Sequence, residues 1–225
     1  MRKITTFLLI YWLFAACHYV HAKDYYPYFF DAQALHGGTG KIINPSTKTV
    51  THKHFVLGIH RFDLSISYGL LPSSEIGLFF DLKEVSKEKF DFKKIHFHSK
   101  YQFIQQESKY LDFSVGWKKK HFYLTTAKFF PSLYRWGIIF GLQLPKEEKK
   151  IGVYPFITIF QAMKWSMFIL DYNTNEQMNS SGRTACIGWR FLLSPRIKLD
   201  LFLVDLKKIK NINFNNFVFG LTISG

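Results

Sequence analysis

The chain has 225 residues, a formal net charge of +14 and an aromatic content of 19%. This length is enough for one domain with a substantial core. The aromatic content is high for a soluble domain and fits a surface that meets lipid or a large apolar interior. A basic chain usually binds nucleic acid, an anionic membrane surface or an acidic polysaccharide. Binding to nucleic acid would require a cytoplasmic location, and the N-terminal segment described next argues against one.

Residues 1–22 have the pattern of a secretory signal peptide. The segment begins with two basic residues, continues with an apolar run at residues 7–16, and ends in Val20-His21-Ala22. The apolar run is too short to remain in a bilayer as a spanning helix. We therefore expect export and cleavage after this segment. The alternative is a lipoprotein signal that ends at Cys17, with lipid attached to that cysteine.

The cysteine content limits how the exported chain can be held together. Cys17 and Cys186 are the only cysteines. If Cys17 leaves with the signal peptide, no intramolecular disulfide can form. A closed β-barrel provides cohesion without a disulfide, because every strand is paired on both sides.

Residues 23–50 are predicted to form an N-terminal periplasmic arm and a first short strand, ahead of a barrel at residues 51–225. Lys23–Leu35 is rich in aromatic residues but irregular, and residues 36–49 contain a glycine turn, a short strand and a second turn. The glycines of this second segment fit neither a Walker nor a dinucleotide-binding spacing, and no helix is predicted after them. We expect no phosphate site here.

From residue 54 onward, apolar residues alternate with small or polar ones, which is typical of β-strands. In residues 63–81, two alternating runs flank Pro72-Ser73-Ser74 and predict a hairpin. Twelve such segments of about 8–13 residues follow one another, with ten to fourteen strands compatible with the pattern, and each is long enough to cross a bilayer when tilted. The predicted strands are 54–62, 63–71, 74–83, 92–104, 109–118, 121–130, 133–144, 151–163, 165–173, 182–192, 196–206 and 212–224.

We predict an all-β, antiparallel, up-and-down transmembrane β-barrel. The polar face of the strands is mainly Gly, Ser and Asn with a few charges, which fits a crowded lumen, and the apolar face often ends in aromatic residues, as membrane girdles do. Ile138 and Leu201 should therefore point outward near mid-membrane, while Gly137 and Asp200 face the lumen. The alternative is a soluble periplasmic barrel that binds an apolar ligand.

Alternate connections between the predicted strands differ in length and charge. The short, nearly uncharged ones are 72–74, 105–108, 131–132, 164 and 194–195. The others, which are mostly longer and lysine-rich, are 83–89, 118–120, 146–150, 173–181 and 206–211. There are two exceptions, since 173–181 has no lysine and the connection between the first two predicted strands is tight. Outer-membrane barrels have short periplasmic turns and longer external loops. We therefore expect both chain ends in the periplasm and the lysine-rich loops against lipopolysaccharide.

The predicted inner face carries charges of both signs, which we interpret as a network that pairs across the lumen. Its members are Glu75, Asp81, Lys100, Asp112, Arg135, Arg190, Lys198 and Asp200. We predict that the barrel is not an open pore, because several inward residues are bulky, among them Phe79, Tyr110 and Phe202. The N-terminal arm is also expected to tuck into the periplasmic mouth.

Catalytic and metal sites receive little support from the residue pattern. His96 and His98 share a face, but the sequence places no third ligand beside them, so we expect no metal. The carboxylates of the inner face, with Asp171, could contain a catalytic pair, yet no G-x-S-x-G motif is present and we expect neither catalysis nor a cofactor. An outer-membrane hydrolase acting on lipid or glycan is the alternative, and it would need an acid–Ser–His cluster in the lumen or at its rim.

Several stretches together resemble a known family. They are 38–47 (G-T-G-K-I-I-N-P-S-T), 55–62, 68–82, 97–103, 170–173 and 199–205. In this order they are similar to YjbH-type outer-membrane β-barrel proteins, which are found with exopolysaccharide export operons. The resemblance covers Gly38 to the last residue. In that pattern an apolar residue usually stands at the position of Lys41, and a terminal aromatic stands where this sequence has Ile223-Ser224-Gly225.

The resemblance identifies a type of barrel and no catalytic residue. It implies a structural or accessory role in surface polysaccharide export or envelope organisation. Outer-membrane lipid, lipopolysaccharide and polysaccharide export proteins are then the expected partners, and nucleic acid is not.

The mature N-terminus tests the predicted signal. Val20-His21-Ala22 matches a signal-peptidase site better than Leu13–Cys17 matches a lipoprotein signal. We expect the intact mass of the purified protein to correspond to a chain that begins at Lys23. A diacylglyceryl mass on Cys17 would contradict this prediction.

Overall fold

A computed structural model of the protein describes residues 29–34, 38–61, 63–81, 95–104, 111–118, 121–130, 135–145, 152–174, 185–206 and 216–225. The predicted signal peptide, Tyr110 and most of the predicted long connections lie outside these ranges. Within them, no segment forms a helix long and apolar enough to cross a membrane.

Twelve β-strands form the fold. They are β1 Phe55–His60, β2 Asp63–Leu71, β3 Ser74–Asp81, β4 Ile95–Ile104, β5 Asp112–Lys118, β6 His121–Phe130, β7 Trp136–Pro145, β8 Tyr154–Ala162, β9 Ser166–Asn173, β10 Ala185–Ser194, β11 Ile197–Val204 and β12 Phe217–Ser224. Each strand pairs antiparallel with the next, and β1 pairs with β12 to close a barrel. The predicted all-β, antiparallel, up-and-down barrel of twelve strands is confirmed.

Because consecutive strands alternate in direction, the turns between β2 and β3, β8 and β9, and β10 and β11 lie at the same end of the barrel. These turns are short, at residues 72–73, 163–165 and 195–196. The start of β1 and the end of β12 lie at this end too. We call it the short-turn end.

Burial alternates along each strand as the sequence pattern predicts. In β7, Gly137, Ile139 and Gly141 are buried, whereas Ile138 and Phe140 are exposed. Every strand carries at least one large hydrophobic side chain on its exposed face. Examples in strand order are Phe55, Ile66, Ile76, Phe97, Val115, Phe122, Ile138, Ile157, Leu170, Phe191, Leu199 and Phe219.

On the inner face, six glycines stand directly opposite rings on a neighbouring strand. The pairs are Gly77 with His98, Gly116 with Tyr123, Gly137 with Phe160, Gly141 with Phe156, Gly188 with Phe202, and Gly220 with His60. A Cβ atom on Gly137 would lie only 2.1 Å from Cζ of Phe160. Glycine at these positions therefore leaves the space over the neighbouring strand to the ring.

The lumen is filled by the N-terminal segment, residues 29–34 and 38–50, which we call the plug. Phe29, Ile42 and Ile43 of the plug belong to the same buried apolar cluster as inward side chains of β7 to β12. The short strand expected within residues 23–50 is absent from the described part of that segment. Two isolated bridges, Gln33 with Thr39 and Gly40 with Pro45, hold compact turns there instead. Most of the plug's remaining backbone contacts are made by side chains of the wall.

Candidate functional site

Five of the eight charged residues predicted to line the lumen contact the plug directly: Glu75, Lys100, Asp112, Arg190 and Lys198. Glu75, Lys100, Asp112, Arg190, Lys198 and Asp200 are all at most 4% exposed. Arg135 lies in the turn before β7, and its Nη1 has no hydrogen-bond partner among the described residues. Asp81 ends β3, and its side chain lies outside the described part of the chain.

Arg190 binds the backbone of the plug while paired with Asp200, its register partner on β11. Its Nε donates to Asp200 Oδ1 at 2.7 Å, its Nη1 to the carbonyl of Gly40 at 3.0 Å, and its Nη2 to the carbonyls of Gln33 at 3.0 Å and Lys41 at 3.1 Å. The fixed fork of guanidinium donors thus gathers three carbonyls of the plug around one buried cation.

Asp171 also holds the plug, but it accepts hydrogen bonds from backbone amides where Arg190 donates to backbone carbonyls. Its Oδ2 accepts hydrogen bonds from the amides of Ile42 at 2.9 Å, Ile43 at 2.8 Å and Asn44 at 3.2 Å. Successive amides that converge on one oxygen form an anion-binding nest. The Asn44 side chain extends the contact, because its Nδ2 donates to Thr158 Oγ1 at 3.1 Å.

Glu75 and Lys100, register partners on β3 and β4, grip the plug at Thr39. Glu75 accepts from the Thr39 amide at 3.0 Å, the Thr39 hydroxyl at 2.7 Å and the Val50 amide at 2.9 Å. Lys100 Nζ lies 3.3 Å from Glu75 Oε1 and donates to the carbonyls of Thr39 at 2.9 Å and Ser46 at 3.2 Å. It also contacts the Thr39 hydroxyl.

Two further ion pairs join the plug to the wall. Lys198 Nζ lies 2.8 Å from Asp31 Oδ1, and Lys48 Nζ lies 3.2 Å from Asp112 Oδ2. These pairs, with the contacts of Arg190, Asp171 and the Glu75–Lys100 pair, anchor the plug to strands on several sides of the barrel.

The expectation that the charges pair across the lumen is wrong in its geometry. Glu75 with Lys100, and Arg190 with Asp200, are neighbours on adjacent strands, and the space between opposite walls is occupied by the plug. An unpaired charge in this buried setting would cost several kcal/mol. The strand pairs and the plug backbone together satisfy these groups.

Sequence reasoning did not identify the plug's own partners in these contacts, which are Asp31, Thr39, Lys41, Asn44 and Lys48. The signal in the sequence is the run of small and turn-forming residues at 38–47, which predicts turns around a short strand. The sequence pattern connects Asp171 only with a possible catalytic pair among the inner-face carboxylates. Nothing in a strand's alternation shows that an inward carboxylate faces backbone amides.

One luminal cluster contains the residue types of a hydrolase. Ser67 Oγ lies 2.9 Å from His98 Nε2, and Glu75 Oε1 lies 4.0 Å from the same nitrogen. In a catalytic triad the carboxylate contacts the other ring nitrogen, Nδ1. His98 Nδ1 has no hydrogen-bond partner among the described residues. Ser67 is 0% exposed and accepts a hydrogen bond from the plug residue Gln33 at 2.7 Å.

The two histidines considered as metal ligands have other neighbours. The His96 ring stacks on Phe79, with centroids 5.2 Å apart, and His98 contacts Ser67. Among the described residues, no group of three or more His, Cys, Asp and Glu side chains could hold a metal ion.

Lys41 is the plug residue with the least usual surroundings. It is 0% exposed, and its Nζ lies 4.4 Å from the ring centroid of Phe30, 4.1 Å from that of Phe160 and 3.2 Å from the sulfur of Met167. Aromatic faces attract a cation but replace water only in part. Burial, with the nearby Arg190 guanidinium, holds the pKa of Lys41 well below its usual value.

Comparison of the chain with protein-family models, curated proteins and solved structures found no match.

The stability of the protein should depend on pH through Lys41. Between the lowered pKa of Lys41 in the folded protein and the ordinary lysine value of about 10.4, the unfolded chain binds a proton that the folded protein does not. The free energy of unfolding should therefore rise with pH in that window, by up to about 1.4 kcal/mol per pH unit. Lys41→Met should be more stable than wild type at pH 7 and should lose this rise.

Urea unfolding in detergent micelles at several pH values measures the effect. Lys48→Met is the matched control, because this plug lysine is partly exposed and paired with Asp112. The control should lower stability rather than raise it. A Lys41→Met protein that is less stable than wild type by the same amount at every pH would contradict the prediction.

Proposed function

We propose that the barrel crosses the outer membrane with its lumen closed by the plug, and that it serves as a structural or accessory protein of the envelope. The observation that carries this proposal is the distribution of side chains. Charged residues are buried inside the barrel, and large apolar residues are exposed on the outside of all twelve strands. Soluble monomers rarely expose contiguous apolar patches of more than a few hundred Å².

Aromatic placement and the length of half of the strands support a membrane location. Six of the twelve strands contain 9 or 10 residues, and the other six contain 6–8. A tilted spanning strand needs about 9–11 residues. Outward ring pairs lie near both ends of the strands. Phe103 and Phe113 lie toward the short-turn end, with centroids 5.9 Å apart, and Trp117 and Phe122 lie toward the other end, 6.3 Å apart.

The filled lumen supports a role other than passive conduction. The plug is packed against the wall and bound to it by buried charges, so a solute or a polymer has no straight passage in this arrangement. A soluble barrel that binds an apolar ligand would instead present a large apolar cavity and a charged outer surface. The geometry around Ser67 and His98 gives no support to the hydrolase alternative.

The expected signal peptide and the resemblance to YjbH-type proteins supply the rest of the proposal. They support an outer-membrane location and an accessory role in surface polysaccharide export or envelope organisation. Outer-membrane lipid, lipopolysaccharide and polysaccharide export proteins are the proposed partners.

A charge placed on the outer face should reduce the free energy of unfolding more strongly the closer it lies to the bilayer midplane. Leu201 is the fifth of eight residues in β11 and Leu193 is the penultimate residue of β10, and both point outward. Leu201→Arg should reduce the free energy of unfolding in lipid by about 2–4 kcal/mol, and Leu193→Arg by about 0–1 kcal/mol. Ile138, only the third residue of β7, should respond between these two.

Reversible urea unfolding in lipid vesicles measures the three variants. If the barrel were a soluble protein, an arginine at each of these exposed positions would be tolerated about equally. Equal, small effects at Leu201 and Leu193 would therefore contradict the membrane location.

A lumen closed by the plug should prevent ion conduction through the barrel. We expect the intact protein to show no steady conductance in planar bilayers and deletion of residues 29–50 to produce open channels. Asp171→Asn, which weakens the acceptor for three plug amides, should cause brief openings. Large, porin-like steps from the intact protein would contradict the proposal and favour passive solute uptake.

A further inference from the structure

Two neighbouring turns at the short-turn end place cations next to exposed apolar side chains. Lys164 lies in the turn between β8 and β9, and Arg196 lies in the turn between β10 and β11. The turns lie side by side, because β9 pairs with β10 and the Leu192 amide donates to the carbonyl of Trp165 at 2.8 Å. Their centres are two strand spacings apart, or about 10 Å, so both long side chains can reach a group between them.

Neither cation forms an ion pair with a carboxylate in the part of the chain that the structure describes. The Lys164 ammonium lies 5.5 Å from the ring centroid of Trp165, and Arg196 is exposed on its turn. The short turns described at this end contain no acidic residue. Asp31, which lies at the same mouth of the barrel, is held by Lys198 at 2.8 Å. Both positive charges therefore remain available to an anionic group from outside the chain.

A row of apolar side chains runs from these turns along the outer face of β10. Leu193 is 62% exposed beside the turn, and Phe191 is the next outward residue of the strand. Trp189 and Ile187, both partly exposed, continue the row toward the other end. At about 3.4 Å per residue, the row is about 20 Å long, which is enough for an extended fatty acyl chain.

Cations beside an apolar surface are typical of the boundary between a bilayer and water. Lysine and arginine side chains lay their apolar stems along such a surface and extend their charged ends toward the headgroups. Tryptophan, here Trp165, is enriched at the same depth. Anionic lipids attract each such cation by a free energy equivalent to roughly fivefold in affinity. A ligand that uses both parts of this surface carries an anionic group and a long apolar chain.

We propose that Lys164, Arg196 and the outer face of β10 bind an anionic phospholipid of the leaflet at the short-turn end. Its phosphate lies between the two cations, and one acyl chain lies along β10. The inference rests on the proposed membrane location and adds a headgroup preference at one place on the barrel. Phosphatidylcholine should bind there more weakly, because its choline cation would lie near the two basic side chains.

Photo-crosslinking of the full chain in phosphatidylcholine vesicles tests the proposal. The vesicles contain a trace of phosphatidylglycerol or of phosphatidylcholine with a diazirine on one acyl chain, and mass spectrometry maps the adducts. We expect the phosphatidylglycerol probe to label residues 187–197 about fivefold or more above the phosphatidylcholine probe. Equal labelling of this segment by both probes would overturn the lipid site and leave the membrane location intact. No labelling of any strand by either probe would contradict the membrane location, and the lipid site with it.

Substitutions of the two cations locate the site. A protein that carries both Lys164→Gln and Arg196→Gln should lose the preference, so that the phosphatidylglycerol probe labels residues 187–197 no more than the phosphatidylcholine probe does. Heat-modifiability on a gel checks that each variant barrel is folded. Arg61→Gln is the matched control, since this arginine lies in the turn between β1 and β2 at the opposite end of the barrel. An unchanged preference in the folded double variant, or an equal loss in Arg61→Gln, would contradict the assignment.

Discussion

The structure depends on the need of buried charges for partners. Arg190, Asp171, Glu75 and Lys100 lie inside a narrow barrel, where an unsatisfied charge would cost several kcal/mol. Their hydrogen bonds go largely to amides and carbonyls of the plug, whose own polar backbone also needs partners in the absence of regular secondary structure. Wall and plug therefore satisfy each other's buried polar groups.

The same lumen explains the use of small residues on the inner face. Rings of Phe156, Phe160 and Tyr123 occupy the space that a Cβ on the opposed glycine would take, and together with the plug they fill the interior. The buried charged side chains and the backbone of the plug thus find their hydrogen-bond partners inside the barrel. The outer face is left free to be apolar on every strand, which is what a lipid environment favours.

Much of this fold can be predicted from the sequence because strand alternation is a local signal. The hairpin at residues 63–81 and the alternation of residues 136–144 set both the strand positions and the inward and outward faces. The inward placement of Arg190 and Asp200 follows from the same rule. The role of Asp171 could not be predicted, since its partners, the amides of Ile42–Asn44, lie about 130 residues earlier in the chain and carry no side-chain signal. Lys41 was noticed only as a departure from an apolar position, and its contacts with Phe30 and Phe160 appear only in three dimensions.

Amide hydrogen exchange of the plug tests the mutual dependence of plug and wall most directly. The amides of Ile42, Ile43 and Asn44, and that of Val50, bind carboxylates of the wall. If the plug is part of the folded barrel, these amides should exchange as slowly as strand amides such as those of β7, because only opening of the barrel would expose them. Exchange of these four amides at the rate of an unstructured peptide, in a barrel whose strand amides are protected, would contradict the account.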